Sequence, residues 1–428
     1  MLTKAALILI ALIALAVPVA ASLGWLALIL QWLESPMPLH RALGDMVWQT
    51  GTDFLLVAIP MFVLMGEILL RAGITERMYE GMIKWLGWMP GGLMHSNIGS
   101  CALFAATSGS SVATAATVGT VALPQVARRG YNEPLFLGTV AAGGTLGILI
   151  PPSINLILYG LLTDTSVPEL YLAGFLPGLA LALLFMLTIV IACRLRPAWG
   201  GEAVHASWAE RLAALPSLLP LLLIFLVVVG SIYAGLATPT EAASLGVVAS
   251  MVLAALNRRL TLATLRAAIE GTMRTTAMIM LIILAAVFLN FVLGVIGLTQ
   301  ALTEFIAGLG LSPLQTLLMI VAFYVVLGCF METLSMLLTT APLVTPIVVG
   351  LGYDPVWFGI LLMVLLETAL ITPPIGINLY VVQGIRSGGE MTDVMKGALP
   401  FVLAMFAMVA LLIAWPDLAL WLPSLVYK

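Results

Sequence analysis

Four stretches of the chain place small polar residues, glycines or paired prolines inside otherwise apolar segments. They are 107–111 (Thr-Ser-Gly-Ser-Ser), 143–152, which ends in Pro151-Pro152, 332–340, and 367–374, which ends in Pro373-Pro374. Proline lacks a backbone N–H and obstructs the preceding helical turn, so each pair frees carbonyl oxygens. Carbonyl and hydroxyl oxygens suit a small hard cation such as Na⁺, and the C-terminal end of a half-helix adds negative potential.

The same breaks also predict an anion site. A half-helix begins after each proline pair, and its first N–H groups have no partner within the helix. We expect a substrate to contact these groups together with Ser111, Ser153, Asn155 and Asn378, because no basic residue is predicted in the cavity. The alternatives are that the two asparagines cap or bridge helices and that the serines serve close helix packing.

Glu332 and Glu367 are the only carboxylates predicted deep in the second half of the chain. A charge at the centre of a bilayer costs about 2.5–3.5 kcal/mol on insertion scales, so each is a functional candidate. The alternative for Glu332 is a protonated side chain or a cap at a hairpin tip.

The composition indicates that these segments lie in a lipid bilayer and not in water. Of 428 residues, 62% are hydrophobic and 9% charged, and the mean hydropathy is +1.16, which excludes an ordinary soluble domain. A net charge of −3 does not favour nucleic-acid binding. Three cysteines without CxxC spacing and three scattered histidines exclude a disulfide scaffold and a cysteine-based metal site, and no organic cofactor is expected.

Nine membrane crossings are predicted. We expect one retained span over 5–33 rather than a cleaved signal peptide, and two crossings interrupted by proline pairs, 134–163 and 355–386. The stretches 92–127 and 312–350 are predicted to be re-entrant hairpins. The remaining crossings are 53–71, 168–194, 216–236, 238–257, 271–293 and 397–421.

The basic residues support this arrangement. With nine crossings, fifteen of the 17 Lys and Arg residues fall on one side, and only Arg41 and Lys428 fall on the other. The positive-inside rule makes the first side the cytoplasm. The prediction is therefore a cytoplasmic N-terminus, a periplasmic C-terminus, and hairpins that enter from opposite sides.

The two halves of the chain form an internal repeat. At a shift of 222 positions, Pro124, Gly130, Tyr131, Phe136 and Pro151-Pro152 recur as Pro346, Gly352, Tyr353, Phe358 and Pro373-Pro374. Each repeat would hold four crossings and one hairpin, with 216–236 as an extra crossing that inverts the second repeat. The fold class is therefore an all-α polytopic membrane protein with two inverted repeats, a pattern typical of secondary transporters.

An ordered series of short motifs extends from about residue 53 to about residue 421. The motifs are 59–62 (Ile-Pro-Met-Phe) with Gly66-Glu67, 91–93 (Gly-Gly-Leu), 104–111, Gly119, Pro124, Gly130-Tyr131, 150–153 (Ile-Pro-Pro-Ser), Gly328 with Glu332, and 372–379. Together they resemble one family, the large membrane subunit of tripartite ATP-independent periplasmic (TRAP) transporters.

The resemblance implies a sodium-coupled importer in the bacterial inner membrane, not an enzyme, that moves by an elevator mechanism. It implies three partners besides Na⁺ and lipid: an organic acid or related solute, a periplasmic substrate-binding protein, and a small membrane subunit of four helices, which this chain has no room to include. One sodium site would fall at Ser108, Ser110, Gly147, Ile150 and Pro152. A second would fall at Gly328, Ala369, Thr372 and Ile375, where Ala369 replaces the usual glycine.

The implied domain division alternates between a scaffold and a transport domain. Scaffold helices occupy 1–91, and the first transport repeat occupies 92–194. A linker and further scaffold helices occupy 195–293, and the second transport repeat occupies 294–428.

Three alternatives stay open at this point. One is a single-component sodium–dicarboxylate symporter of similar architecture. Another is an intramembrane protease, but the only histidine near a candidate serine is His95 at the start of a hairpin, and Asp354 has no second membrane aspartate. A purely structural subunit is the third, and it does not account for the inverted breaks.

Overall fold

The computed structural model describes residues 2–15, 17–386 and 388–427. Within these ranges the chain is helical, apart from short connections and one isolated bridge between Tyr131 and Gly200. Lys428, which entered the charge count above, lies outside the described residues.

The predicted first span is wrong, because the structure divides it into α1 (Leu2–Ala14) and α2 (Val19–Glu34). Lys4 Nζ lies 2.8 Å from Glu34 Oε1, so the two helices fold back as a hairpin instead of forming one rod. Pro18 precedes α2 and cannot continue a helix from the residues before it. Both ends of the run therefore lie on the side of the loop that carries Arg41.

The first repeat follows. A short helix α3 (Leu43–Gly51) leads to the spanning helix α4 (Ala58–Arg71) and the amphipathic helix α5 (Ile74–Leu86). The hairpin, the broken helix and the last span then follow in order: α6 (Leu93–Ser108), α7 (Ser111–Ala122), α8 (Val126–Arg129), α9 (Glu133–Leu149), α10 (Ile154–Thr163) and α11 (Val167–Leu195).

One helix, α12 (Trp208–Tyr233), connects the repeats, and α13 (Pro239–Leu256), the counterpart of α2, begins the second repeat; each of the two begins with a capping box. The second repeat has the same order of elements as the first. Its further helices are α14 (Leu262–Val295), α15 (Leu298–Gly308), α16 (Pro313–Gly328), α17 (Thr333–Gly350), α18 (Pro355–Ile371), α19 (Ile377–Ile385) and α20 (Met391–Ala414), followed by α21 (Asp417–Val426).

Seven helices of the described chain are long and apolar enough to span a bilayer, and the bent pair α9–α10 makes eight. Six of the seven helices and the bent pair match expected crossings. The seventh helix is α17, an arm of the predicted hairpin 312–350, and the expected crossing 355–386 is not among the candidates because α18 is shorter than a full span. The predicted last helix, 397–421, is incorrect in its bounds, because α20 ends at Ala414 and Pro416 starts a separate helix, α21. The run stays apolar through this break, so hydropathy alone does not reveal it.

Helical hairpins occur at both predicted places, α6–α7 and α16–α17. In the first, Gly109 ends α6 with φ +59°, the left-handed conformation that glycine tolerates, and the Ser110 hydroxyl caps α7. The two ends of this hairpin meet on one face, where the Leu93 N–H donates to the Tyr131 hydroxyl at 3.0 Å. In the second, the Tyr324 and Thr340 hydroxyls are 2.7 Å apart across the hairpin.

The packing of the helices repeats with the sequence. The arm α7 of the first hairpin packs on α19 of the second repeat, and the matching arm α17 packs on α10 of the first. In the same way α9 packs on α20 while α18 packs on α11, and α4 packs on α13 while α14 packs on α2. These reciprocal pairs show that the two repeats interlock around an approximate two-fold relation.

The loops that carry most of the basic residues gather on one face, which we call the basic face. The Arg77 side chain donates to Asn257 at 2.9 Å, the Val204 N–H donates to the Gly87 carbonyl at 2.9 Å, and Arg386 pairs with Glu133 at 2.8 Å. These contacts link loops from both repeats, as the charge pattern predicted. Lys4 is the exception, because its pairing with Glu34 moves it to the other face.

Candidate functional site

The two hairpin tips and the two helix breaks meet around one cavity of about 670 Å³. One wall consists of the tips at 108–111 and 332–335, together with the first residues of the half-helices α10 and α19. The facing wall consists of α4, the middle of α14, and residues 18–20 at the turn of the α1–α2 hairpin. The sequence prediction that the interrupted segments share a cavity is therefore supported by this geometry.

The first tip lies directly against the first break. A Cβ placed on Gly147 would be 2.7 Å from the carbonyl carbon of Ser110, and one placed on Gly109 would be 3.0 Å from the Pro152 carbonyl oxygen. Glycine at both positions lets the two backbones approach, which brings Ser108, Ser110, Gly147 and Pro152 into one region.

Thr114 belongs to this region, although sequence reasoning missed it. Its hydroxyl lies 2.8 Å from the Ser108 hydroxyl and donates to the Ser110 carbonyl at 2.7 Å. The spacing of four residues from Ser110, one helical turn, was the available signal. Ile150 sits in the adjoining break, where Gly178 of α11 packs against its side chain.

The second tip meets the second break in a related way. A Cβ on Gly328 would lie 2.5 Å from the Ala369 Cβ, so the missing side chain of Gly328 leaves the space that Ala369 fills. Beyond this contact, the Cys329 sulfur lies 3.4 Å from the Val325 carbonyl oxygen and 3.8 Å from the Pro373 carbonyl oxygen. The Thr372 hydroxyl donates to the Thr368 carbonyl at 2.6 Å. Ile375 lies further along the break and is 41% exposed.

The four substrate candidates separate into two pairs. Ser111 and Asn155 line the cavity, and the Asn155 amide nitrogen is buried without a hydrogen-bond partner. Ser153 is fully buried and caps α10 by accepting from the Leu156 N–H at 3.4 Å. Asn378 is also buried, and its amide donates to the Ala141 carbonyl at 3.2 Å. In this arrangement Ser153 and Asn378 join helices and do not line the cavity.

The two carboxylates occupy different environments. Glu332 lines the cavity and caps α17, because the Ser335 N–H donates to its Oε2 at 3.1 Å and the Thr333 hydroxyl to its Oε1 at 3.0 Å. This matches the alternative of a cap at the hairpin tip. Glu367 is fully buried away from the cavity, and the Ser111 hydroxyl donates to its Oε1 at 2.7 Å.

Sequence reasoning also missed the facing wall of the cavity, formed by α4 and α14. Glu67 lines the cavity from α4 and forms an ion pair with Arg71, one helical turn away. Gly271 of α14 leaves room for it, since a Cβ placed on Gly271 would lie 2.7 Å from the carboxyl carbon of Glu67. The motif Gly66-Glu67 was the available signal, since a Cβ on Gly66 would lie 3.4 Å from the Ser108 Cα of the first tip.

Comparisons with known proteins agree with this architecture. Residues 6–418 match the family described as tripartite ATP-independent periplasmic transporter, DctM component. The chain is 33% identical over 430 residues to the C4-dicarboxylate TRAP transporter large permease protein DctM of Vibrio cholerae, covering 96% of this chain and 94% of that protein. It is 32% identical to the sialic acid TRAP transporter large permease protein SiaM of the same organism, with 95% of each chain covered.

A solved structure is similar in fold. The YdaH transporter of Alcanivorax borkumensis, whose crystal structure is described as having an unusual topology, superposes with a TM-score of 0.66. The alignment covers 94% of this chain and 98% of that one at 17% identity, so the similarity concerns the fold alone.

Proposed function

The chain belongs to the DctM component family of tripartite ATP-independent periplasmic transporters, and we propose that this large permease subunit couples sodium entry to the import of an organic acid or related solute. The observation that carries the proposal is the pairing of each hairpin tip with a helix break across one cavity. Each pairing collects backbone carbonyls and hydroxyls at the end of a half-helix, where a small cation is stabilised.

The first proposed sodium site comprises Ser108, Ser110, Gly147, Ile150 and Pro152. The close backbone approach at Gly147 and the hydroxyl of Thr114 support it. The second comprises Gly328, Ala369, Thr372 and Ile375, supported by the contact between Gly328 and Ala369. Ala369 contributes its backbone, so replacing the usual glycine does not remove a carbonyl ligand.

The proposed substrate is an anion that binds beside these sites. Asn155 presents an unpartnered amide donor at the cavity wall, and α19 begins beside the cavity with no side chain capping its first N–H groups. Both features stabilise a carboxylate. The printed names of the two relatives, which specify a C4-dicarboxylate and sialic acid, fit a substrate of this class. Ser111 completes the polar wall, while Ser153 and Asn378 would contribute by orienting the half-helices.

We propose an elevator movement for transport. The hairpins and broken helices would move together against α4, α13 and α14, since the cavity lies between the transport elements and the scaffold wall. A small four-helix membrane subunit would extend the scaffold, and a periplasmic binding protein would deliver the substrate.

The proposed location is the bacterial inner membrane with the basic face in the cytoplasm. The C-terminus would then be periplasmic. Because Lys4 pairs with Glu34, the N-terminus would share the periplasmic side, in contrast to the cytoplasmic position predicted from a single first span.

The experiment is uptake of a labelled C4-dicarboxylate into proteoliposomes that contain the chain and its small subunit, with the binding protein outside. An inward sodium gradient should drive uptake, and an equal potassium gradient should not. Ser110→Ala and Thr372→Ala should each weaken the sodium dependence, while Ser244→Ala, on the exposed face of α13, should not. Uptake without binding protein would favour a single-component symporter, and wild-type sodium dependence in both site variants would refute the site assignment.

A further inference from the structure

A cluster of tryptophans and one arginine lies where α5 meets α12, beside the loop contacts of the basic face. The two helices approach closely at Gly81, since a Cβ placed there would lie 3.3 Å from the Ser217 Cβ. Past this crossing, Trp85 of α5 meets Trp208 at the start of α12, with ring centroids 6.4 Å apart and planes at 83°. The Arg211 guanidinium lies over the Trp208 ring, 5.0 Å from its centroid. The crossing therefore brings a cation and two indole rings into one place.

Two hydrogen-bond donors of this cluster have no acceptor. Arg211 Nε and Trp85 Nε1 are both buried, and neither has a hydrogen-bond partner among the described residues. Trp88, by contrast, donates from its Nε1 to the Trp85 carbonyl at 2.9 Å, and its ring centroid lies 5.9 Å from the Arg211 Cζ. Buried donors in native proteins are almost always paired. Two unpaired donors in one cluster therefore indicate an acceptor that comes from outside the chain.

The charge of Arg211 is also available to such a ligand. Within the described part of the chain, neither Arg211 nor Lys84 forms an ion pair. The neighbouring Glu210 caps α12 instead, accepting from the Ser207 N–H at 2.7 Å and from its hydroxyl at 2.8 Å. Lys84 lies close enough to Glu210 to act on its carboxyl, and Glu80, one turn before Lys84, is exposed. The missing acceptor is therefore best supplied by an anion.

The surroundings of the cluster favour a membrane lipid as the source of that anion. Trp88 is 51% exposed and Trp208 is 69% exposed, and exposed tryptophans are typical of the depth at which lipid headgroups lie. From Trp208 onward, α12 presents a row of exposed leucines, which we call the leucine stripe. It comprises Leu212, Leu219, Leu222, Leu223 and Leu226. Since α12 is long and apolar enough to span the bilayer, acyl chains that extend from a phosphate at Arg211 would lie along this stripe.

We propose that Arg211 and Trp85 bind the phosphate of an anionic phospholipid, whose acyl chains lie along the leucine stripe. Arg211 Nε and Trp85 Nε1 would donate to the phosphate oxygens, which makes both contacts charge-assisted. Lys84 beside them favours a headgroup with a net negative charge, such as phosphatidylglycerol, over a zwitterionic one.

The position of the site indicates what a bound lipid would do. The helix α5 packs on the hairpin arm α6, and α12 packs on α13. A lipid that contacts both α5 and α12 would hold the helix that supports the first hairpin against the helix that connects the repeats. The site lies outside the cavity and uses none of the proposed sodium or substrate residues, so it does not depend on the proposed function.

The test is native mass spectrometry of the full chain in detergent, titrated with phosphatidylglycerol and separately with phosphatidylcholine. The wild type should bind phosphatidylglycerol in preference. Arg211→Gln removes the charge and should weaken this binding about tenfold or more. Trp85→Phe keeps a ring against Trp208 but removes the N–H donor, and should weaken binding by about two- to tenfold. Arg259→Gln is the matched control, because it removes an exposed charge from another loop of the basic face and should change nothing.

Four results would overturn the proposal. The first is equal affinity for the two lipids, and the second is wild-type affinity for phosphatidylglycerol in both site variants. The third is an equal loss in Arg259→Gln, which would show a general attraction to the basic face without a site. The fourth comes from a titration with inorganic phosphate: binding as tight as that of the lipid, lost in the same variants, would assign the site to a free anion.

A final arm repeats the titration with the small membrane subunit bound. Phosphatidylglycerol should still bind and should still be weakened by Arg211→Gln. Exclusion of the lipid from the complex would show that the leucine stripe is a protein interface and would overturn the assignment to lipid. Neither titration needs sodium or a substrate, so failure of the importer proposal would leave this result distinguishable.

Discussion

The contact between Gly328 and Ala369 allows the second proposed sodium site to be tested by a swap. Gly328→Ala places a methyl group 2.5 Å from the Ala369 Cβ, whereas carbon atoms in contact are normally about 3.5–4.0 Å apart. Since Ala369 is 7% exposed and sits near the end of α18, the overlap cannot be relieved without separating the tip from the break. Overpacking of this kind costs about 1–3 kcal/mol.

The second substitution should rescue the first. Ala369→Gly alone removes a buried methyl group, worth about 0.8 kcal/mol, and adds a glycine to a helix at a cost of about 1 kcal/mol. In the double variant the methyl group introduced at position 328 would lie 3.3 Å from the Cα of residue 369 and 3.7 Å from the Met336 Cε, so the severe overlap disappears. We expect the double variant to lose less stability than the sum of the two single losses, with a coupling energy of about 1–3 kcal/mol.

Thermal unfolding of the purified complex measures this order, and Gly230→Ala is the matched control because nothing lies within 4 Å of its Cβ position. The sodium-specific part of the stability should fall in Gly328→Ala and recover in the double variant. A double variant at least as unstable as the sum of the single losses would refute the reasoning that the two residues share one space.

Two further predictions test the first tip and the N-terminal hairpin. Gly147→Ala should lower the unfolding temperature and abolish sodium-dependent uptake, because its Cβ would lie 2.7 Å from the Ser110 backbone; normal uptake would show that the tip does not need this close approach. Lys4→Cys with Glu34→Cys should form an intramolecular cross-link with a short bifunctional reagent, since the native side chains meet at 2.8 Å. The control is the pair Lys4→Cys with Trp208→Cys. If the first pair cross-links no more than this control, the prediction of a single first span would be favoured.

Much of the fold could be predicted because proline and glycine act locally. Pro151-Pro152 and Pro373-Pro374 interrupt any helix through their missing N–H groups, and their recurrence at equal spacing identified the repeat. The charge pattern then indicated the two hairpins. The repeat and the hairpins could both be inferred because the effect of each proline or charged residue depends on that residue and its immediate neighbours.

The errors arose where hydropathy was uninformative. The run 5–33 is apolar on both sides of Pro18, and the run 397–421 is apolar on both sides of Pro416, so apolar length alone could not show where the path turns. In both cases a single proline was the only signal.

The least predictable features of the site join distant parts of the chain. The hydrogen bond between Ser111 and Glu367 spans 256 positions, and the space that Gly328 leaves for Ala369 exists only once α16 packs on α18. The sequence identifies Ser111 and Glu367 as candidates. Their partnership requires the reciprocal packing of the two repeats.

The central claim, sodium binding at the two proposed sites, is tested most directly by thermal unfolding of the complex in sodium against potassium at equal ionic strength. A ligand that binds only the folded state, at about 100 times its dissociation constant, stabilises by about 2.7 kcal/mol. We predict a sodium-specific increase in the unfolding temperature that is reduced in Ser110→Ala and in Thr372→Ala. Equal unfolding temperatures in the two salts, at sodium concentrations that support uptake, would contradict the account.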